Sequence, residues 1–181
     1  MQQIGVITIP LYPNSTEEDY TFICKDAEVT YIFVGDEQIL KKVNNIKNEI
    51  SSLKDIYTFD KIEGVKNWSL LLQNPPTEKQ QELEKIKSEI DDFDLATIIY
   101  TSGTTGTPKG VMLSHNNIIS NSKAVKQSFE VVNNSYKVLC FLPLCHIFAR
   151  TDLYDYGYTG VSIYYSDSIE FQRSPNIGSA D

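Results

Sequence analysis

An apolar run, Leu95–Tyr100, passes directly into Thr101-Ser102-Gly103-Thr104-Thr105-Gly106-Thr107-Pro108-Lys109-Gly110, and no other stretch narrows the choice of fold so far. The run has the length and β-branched content of a buried strand. Gly103, Gly106 and Gly110 give the loop backbone conformations that residues with a Cβ do not readily adopt. Thr101, Ser102, Thr104, Thr105 and Thr107 supply hydroxyl donors, Lys109 supplies one mobile positive charge, and Pro108 restricts the chain between them. A solvated turn would need none of this concentration of donors. Donors fixed beforehand around a polyphosphate are suited to stabilising the charge that shifts when a phosphate bond breaks.

Two familiar phosphate loops do not fit. The P-loop requires G-x-x-x-x-G-K-[ST], whereas Lys109 follows Pro108 and precedes Gly110. The dinucleotide fingerprint G-x-G-x-x-G fails because Gly103 and Gly106 lack the first close glycine partner. The loop therefore predicts phosphate handling on another architecture.

Around it, the chain alternates β-rich and helical patterns. Ile4–Ile9 reads as a strand, punctuated by Pro10, Pro13 and Asn14. Ser15 or Thr16 is placed to cap a helix running to about Lys25, with Glu17, Glu18 and Asp19 in its first turn. Thr30–Val34 reads as a strand, Asp36 as the cap of a helix over about Glu37–Lys47, and Ile56–Phe59 as a third strand. This rhythm is that of βαβ units, in which crossover helices cover a parallel sheet. Trp68–Leu72 is expected in the core, and Asn74-Pro75-Pro76 breaks the chain. A charged, mostly solvated helix is expected from Thr77 to about Ile90. After the loop, the pattern predicts a strand at Val111–Leu113 and a helix from His115 or Asn116 to about Phe129. Further on it predicts a strand at Val138–Leu142, a helix near His146–Tyr156 and a strand at Val161–Tyr165. From Ser166 the pattern becomes irregular.

Charge and cysteine usage remove several functional classes. With 24 acidic against 16 basic side chains the net charge is −8, so a nucleic-acid partner, which needs a concentrated positive surface, is not expected. A local phosphate site built from backbone N–H groups needs no net positive charge. Cys24, Cys140 and Cys145 are odd in number and lack CxxC spacing, which argues against a disulfide framework or a thiolate zinc site and fits a reducing compartment. The opening QQIGVITIP is too short to span a bilayer. The expectation is a cytoplasmic protein, with peripheral membrane association through further sequence.

The stretch YTSGTTGTPKG, Tyr100–Gly110, resembles the nucleotide phosphate loop of the adenylate-forming superfamily, and above all that of long-chain fatty acyl-CoA synthetases. Phe141-Leu142-Pro143-Leu144-Cys145-His146-Ile147-Phe148 resembles a second motif of that family, close to PLSHxF, at a compatible spacing. GVITIPLYPNSTEEDYTFICKDAEVTYIFV looks like the part of the nucleotide-binding lobe that precedes them. The resemblance covers roughly residues 3–170. It implies an α/β fold: a partial N-terminal lobe with a parallel β-sheet and flanking helices, over residues 1–170, followed by an irregular tail at 171–181.

The resemblance further implies a two-step reaction. A carboxylate attacks the ATP α-phosphate to give an acyl-adenylate and pyrophosphate, and the CoA thiol then displaces AMP. Thr101, Ser102, Gly103, Thr104, Thr105, Gly106, Thr107, Pro108 and Lys109 would hold the phosphates, with Thr101 near Mg²⁺. His146 would line the acyl-adenylate site as its catalytic residue, and Phe148 would shape the acyl pocket. Without the motif, a His among apolar neighbours reads more readily as structural. Cys145 stands where the family often has a small hydroxyl residue, and Ala149 where this subgroup carries Glu before Arg150. The family enzyme is much longer, with further adenine-binding and acidic metal motifs and a small C-terminal domain. The chain alone is therefore expected to turn over little, and the exposed edges of an incomplete lobe predict self-association. Two other readings stand beside this one. The chain belongs to an adenylating domain for amino or aryl acids, or it is a non-catalytic remnant.

Overall fold

The computed structural model describes residues 2–72, 76–102, 107–128 and 136–166, and these form two compact units, Met1–Ser114 and His115–Asp181. In the first, helix α1 (Glu17–Asp26) begins where Thr16 accepts from the Asp19 backbone N–H at 3.0 Å while Asp19 accepts from the Thr16 N–H at 3.1 Å. This reciprocal box satisfies donors that a helix start leaves open. Strand β1 (Tyr31–Val34) leads through Asp36, which accepts from Ile39 N–H at 2.9 Å, into helix α2 (Glu37–Ile46). Leu40, Val43 and Ile46 recur at helical spacing and are all buried. The chain returns in strand β2 (Asp55–Thr58), parallel to β1 with Tyr31 opposite Asp55 and Val34 opposite Thr58. The predicted βαβ crossover is therefore present. Its core has two adjoining parts, Tyr20, Cys24, Ile46 and Ile50 in one and Val34, Leu40 and Val43 in the other, with Ile32 and Ile39 packed against both.

Helix α3 (Thr77–Glu89) carries exposed ion pairs such as Lys87–Glu84 and Lys85–Glu89. Each contributes tenths of a kcal/mol at most, on the order of ~0.3 kcal/mol for helical neighbours. It leads to strand β3 (Leu95–Ser102), which pairs antiparallel with strand β4 (Pro108–Ser114). The short connection between them makes a hairpin, whereas parallel pairing would need a long crossover. β3 and β4 thus form an antiparallel two-stranded sheet of their own, where the βαβ rhythm alone suggests parallel strands.

Two local expectations are corrected. Ile4–Ile9 is not a strand: Gln2–Ile4 is a 3₁₀ turn, and only Thr8 pairs, in an isolated parallel bridge to Thr97. That bridge is well made, with Ile98 N–H donating to Thr8 O at 3.2 Å and Thr97 Oγ1 to the same oxygen at 2.5 Å. Trp68–Leu72 is not core either. Trp68–Leu71 is a 3₁₀ turn held by Asn67, whose amide donates to the carbonyls of Thr58, Phe59 and Asp60. The turn so fixed lies beyond the end of β2, and Leu70, Leu71 and Leu72 are each more than half exposed.

The second unit repeats the crossover. Helix α4 (His115–Ser128) packs on helix α5 (Ile147–Thr159), which joins strand β5 (Lys137–Cys140) to a parallel strand β6 (Ser162–Tyr165). Gly160 ends α5 at φ 76°, and its N–H donates to Tyr156 O. That left-handed cap is a conformation glycine takes without the Cβ penalty. The irregular tail expected at 171–181 lies outside the described residues. Among the described residues, no helix is long and apolar enough to cross a membrane.

Candidate functional site

The β3–β4 hairpin sets the geometry of the glycine- and threonine-rich loop. Thr101 is the register partner of Lys109, Ser102 of Pro108, and Tyr100 of Gly110. Directly opposed residues on an antiparallel pair bring their Cβ atoms to about 5 Å, so the Thr101 and Lys109 side chains leave the end of the hairpin from neighbouring positions. Both Thr101 and Lys109 are exposed, as is Thr107, while Pro108 is half-buried. Gly103, Thr104, Thr105 and Gly106 lie outside the described residues. Burial changes sharply along β3: Ala96, Thr97, Ile99 and Tyr100 are buried, then Thr101 emerges. A rooted strand thus delivers the first loop donor to solvent.

One partner of this hairpin is invisible to motif reasoning. Tyr100 Oη donates to Asp26 Oδ2 at the end of α1, at 2.5 Å. Burial first, and then the hydrogen bond to Asp26, push the Tyr100 phenol well above its ordinary range, so it remains a donor. The two residues are 74 apart in sequence, and no periodicity links them.

In the second unit, His146 caps α5. Its Nδ1 accepts from Phe148 N–H at 3.3 Å, and its own N–H donates to Pro143 O at 3.0 Å. With Nδ1 accepting, the proton of the neutral ring sits on Nε2. The imidazole is exposed and so is Phe148. Arg150 Nη2 donates to Tyr154 Oη at 2.9 Å, and Ala149 is 2% exposed. Cys145 is buried, and desolvation pushes its thiol up, which removes thiolate character and makes it a poor nucleophile. His115 starts α4.

The donor set suits a phosphate: a hydroxyl and an ammonium carried on opposed residues can give hydrogen bonds and one compensating charge. It does not by itself suit a metal. Among the described residues, no group of three or more His, Cys, Asp or Glu could hold one. Mg²⁺ characteristically keeps its waters and binds through substrate phosphates, so Thr101 would be at most one contributor. An open groove of about 590 Å³ lies elsewhere in the first unit, lined by Leu40, Lys54, Ile56, Val65 and Lys66 among others, and contains none of the loop residues.

Residues 1–177 match the family model described as AMP-binding enzyme. Human long-chain-fatty-acid–CoA ligase ACSBG2 is 32% identical over 155 residues, 81% of this chain and 23% of that protein. The chain thus spans about a quarter of the length of such relatives. Among solved structures, the luciferase-like enzyme of the mealworm Zophobas morio superposes with a TM-score of 0.76 at 21% identity, over 93% of this chain and 38% of that one. The anthranilate CoA ligase AuaEII, in complex with anthranoyl-AMP, gives 0.70 at 17% identity, over 90% and 31%. These likenesses establish the fold, the N-terminal lobe of adenylate-forming enzymes.

Proposed function

We propose that this chain, which belongs to the AMP-binding enzyme family, is the phosphate-handling part of an ATP-dependent ligase that joins a long-chain fatty acid to CoA. The observation that carries the reading is the register of Thr101 against Lys109 at the end of a hairpin rooted in buried strand. The hydroxyl and ammonium would grip the β- and γ-phosphates of ATP while a carboxylate oxygen attacks the α-phosphorus. The bond to the β-phosphate breaks, the charge that develops on the leaving pyrophosphate falls on Lys109, and the acyl-adenylate remains. The sulfur of CoA then bonds to the acyl carbon, AMP departs and the thiol proton is lost. Loop residues 102–108 complete the phosphate cradle, and Thr101 contributes to the surroundings of Mg²⁺. The exposed His146 would line the acyl-adenylate, and Phe148 would shape the acyl pocket.

The fatty-acid assignment is supported by the names of the curated relatives, such as ACSBG2. The same proposal takes residues 1–170 as the partial adenylation domain and places the protein in the cytoplasm or at the surface of a membrane. The free Cys24, Cys140 and Cys145 support a reducing location.

Two measurements on the purified chain test the reading. In equilibrium binding of MgATP, Lys109→Ala is expected to weaken affinity about tenfold or more, the value of a charge-assisted hydrogen bond. Carboxylate-dependent ATP–pyrophosphate exchange, run with medium- to very-long-chain fatty acids and with benzoate, is expected to be absent from the chain alone, because adenylation needs carboxylate and ATP positioned together and the chain spans 23% of a relative such as ACSBG2. Undiminished binding by the variant refutes the role of the loop. Exchange driven by benzoate and not by fatty acids refutes the substrate class, and exchange driven by fatty acids refutes the dependence on further sequence.

A further inference from the structure

The hairpin that carries Thr101 and Lys109 is held from a helix that contains no motif. Asp26 is the last residue of α1, and its Oδ2 accepts the hydrogen bond from Tyr100 Oη. Tyr100 is 9% exposed, immediately before the exposed Thr101. On the facing strand the ring lies against Gly110, where a Cβ would stand 3.0 and 3.3 Å from two of its ring atoms. The tyrosine therefore grips both strands: covalently β3, and by contact the residue of β4 that follows Lys109. Its hydroxyl ties that unit to α1.

We propose that Asp26 is a positioning residue for the phosphate loop, acting through Tyr100 to set Thr101 opposite Lys109 before any phosphate arrives. The proposal rests on the reading of the loop as a phosphate site and adds to it a residue outside the loop. A site that is already formed binds with its full affinity, whereas one formed only part of the time is weakened by that fraction. The Tyr100–Asp26 bond is half-buried, with Asp26 itself exposed, and a single hydrogen bond of about 1 kcal/mol is enough to shift such a fraction severalfold. The brace requires an acceptor at position 26, which a neutral amide oxygen also supplies, without the carboxylate's charge.

The test uses the whole chain, with inorganic pyrophosphate as the probe, titrated calorimetrically into the unchanged protein and into Asp26→Ala, Asp26→Asn, Tyr100→Phe and Lys109→Ala. Amide hydrogen exchange across β3 and β4 is followed without ligand. Asp26→Ala and Tyr100→Phe are expected to bind about three- to tenfold more weakly and to exchange faster in the hairpin, while Asp26→Asn stays within about twofold of the unchanged chain. Tyr100→Phe keeps the ring over Gly110, so its packing persists and only the hydroxyl is lost. If both variants bind normally while Lys109→Ala weakens binding, the brace is refuted and the loop reading survives. If Lys109→Ala also binds normally, the loop reading falls and takes this proposal with it. Equal weakening by Asp26→Ala and Asp26→Asn would show that charge, rather than a positioning hydrogen bond, is what matters, and would overturn the brace.

Discussion

Substituting alanine for glycine should have opposite effects at Gly110 and Gly157. At Gly110 a new methyl would stand 2.8 Å from Ile98 Cγ2 and 3.0 Å from Tyr100 Cζ. Ordinary contact begins at 3.4 Å, so Ile98 must withdraw by more than half an ångström. Its Cγ2 sits one bond from a β-branched carbon and has little freedom to move. Overpacking of this kind costs about 1–3 kcal/mol. Against it, alanine restricts the unfolded chain and recovers about 0.4–1 kcal/mol. The net expectation for Gly110→Ala is a loss of about 1–2 kcal/mol. At Gly157, inside α5, a Cβ meets nothing among the described residues within 4 Å. There helix propensity acts alone, and Gly157→Ala should gain about 0.8–1 kcal/mol. Native-state amide exchange read locally, on β3–β4 for one variant and on α5 for the other, reports each change within its own unit. The reasoning is refuted if Gly110→Ala leaves hairpin protection unchanged or raises it. A loss at Gly157 would equally show that open space around a glycine does not predict tolerance in this fold.

Two further outcomes follow from buried groups. The Ser122 hydroxyl on α4 is buried with no hydrogen-bond partner among the described residues, so Ser122→Ala should stabilise α4 by about 0.5–1 kcal/mol, through helix propensity and removal of an unsatisfied group; slower α4 amide exchange would confirm it and faster exchange would contradict it. Burial raises the Cys24 thiol from 9.0 to about 11. At any pH below 9 its thiolate population, and so its alkylation rate by iodoacetamide, should fall about a hundredfold below that of an ordinary thiol, before any loss of access is counted. Peptide mapping should find Cys140, only half-buried, modified first; early modification of Cys24 would refute the burial.

The parts of the fold legible in the sequence were those set by neighbours in the chain. Asp36 capping α2, the Leu40–Val43–Ile46 face, and the strand expected at Thr30–Val34 (found at Tyr31–Val34) appear where periodicity and capping chemistry put them, while the strand expected at Leu95–Tyr100 runs two residues further, through Thr101 and Ser102 of the loop. The failures concern groups whose surroundings come from afar. Ile4–Ile9 has strand-like residues, yet only Thr8 finds a partner, because the available edge of β3 meets the chain at a single bridge. Trp68–Leu72 is apolar enough for a core, but Asn67 fixes a turn beyond the strand end and the leucines are left outside. At the candidate site the same division holds. Thr101 and Lys109 are readable from the loop, whereas Asp26 is not, because neither its spacing nor its neighbours announce a tyrosine 74 residues away.

The exposure of Thr101 and Lys109 is also consistent with the proposal that the loop handles phosphate while the chain alone turns over little. An ammonium and a phosphate oxygen 4 Å apart attract by about 1 kcal/mol per unit charge in bulk water and by about 4 kcal/mol at the effective dielectric of a protein surface. The residues therefore supply their full attraction only when something encloses them, and salt weakens whatever remains in open solvent. The chain spans 23% of a relative such as ACSBG2, so much of any enclosure would come from sequence of the kind that such relatives contain elsewhere. On this account MgATP binding by the chain should weaken steeply as salt rises from low to physiological concentration, and Lys109→Ala should remove most of that dependence. Binding that is tight and insensitive to salt would mean that the phosphates are gripped in a desolvated pocket, contrary to the exposure of both residues.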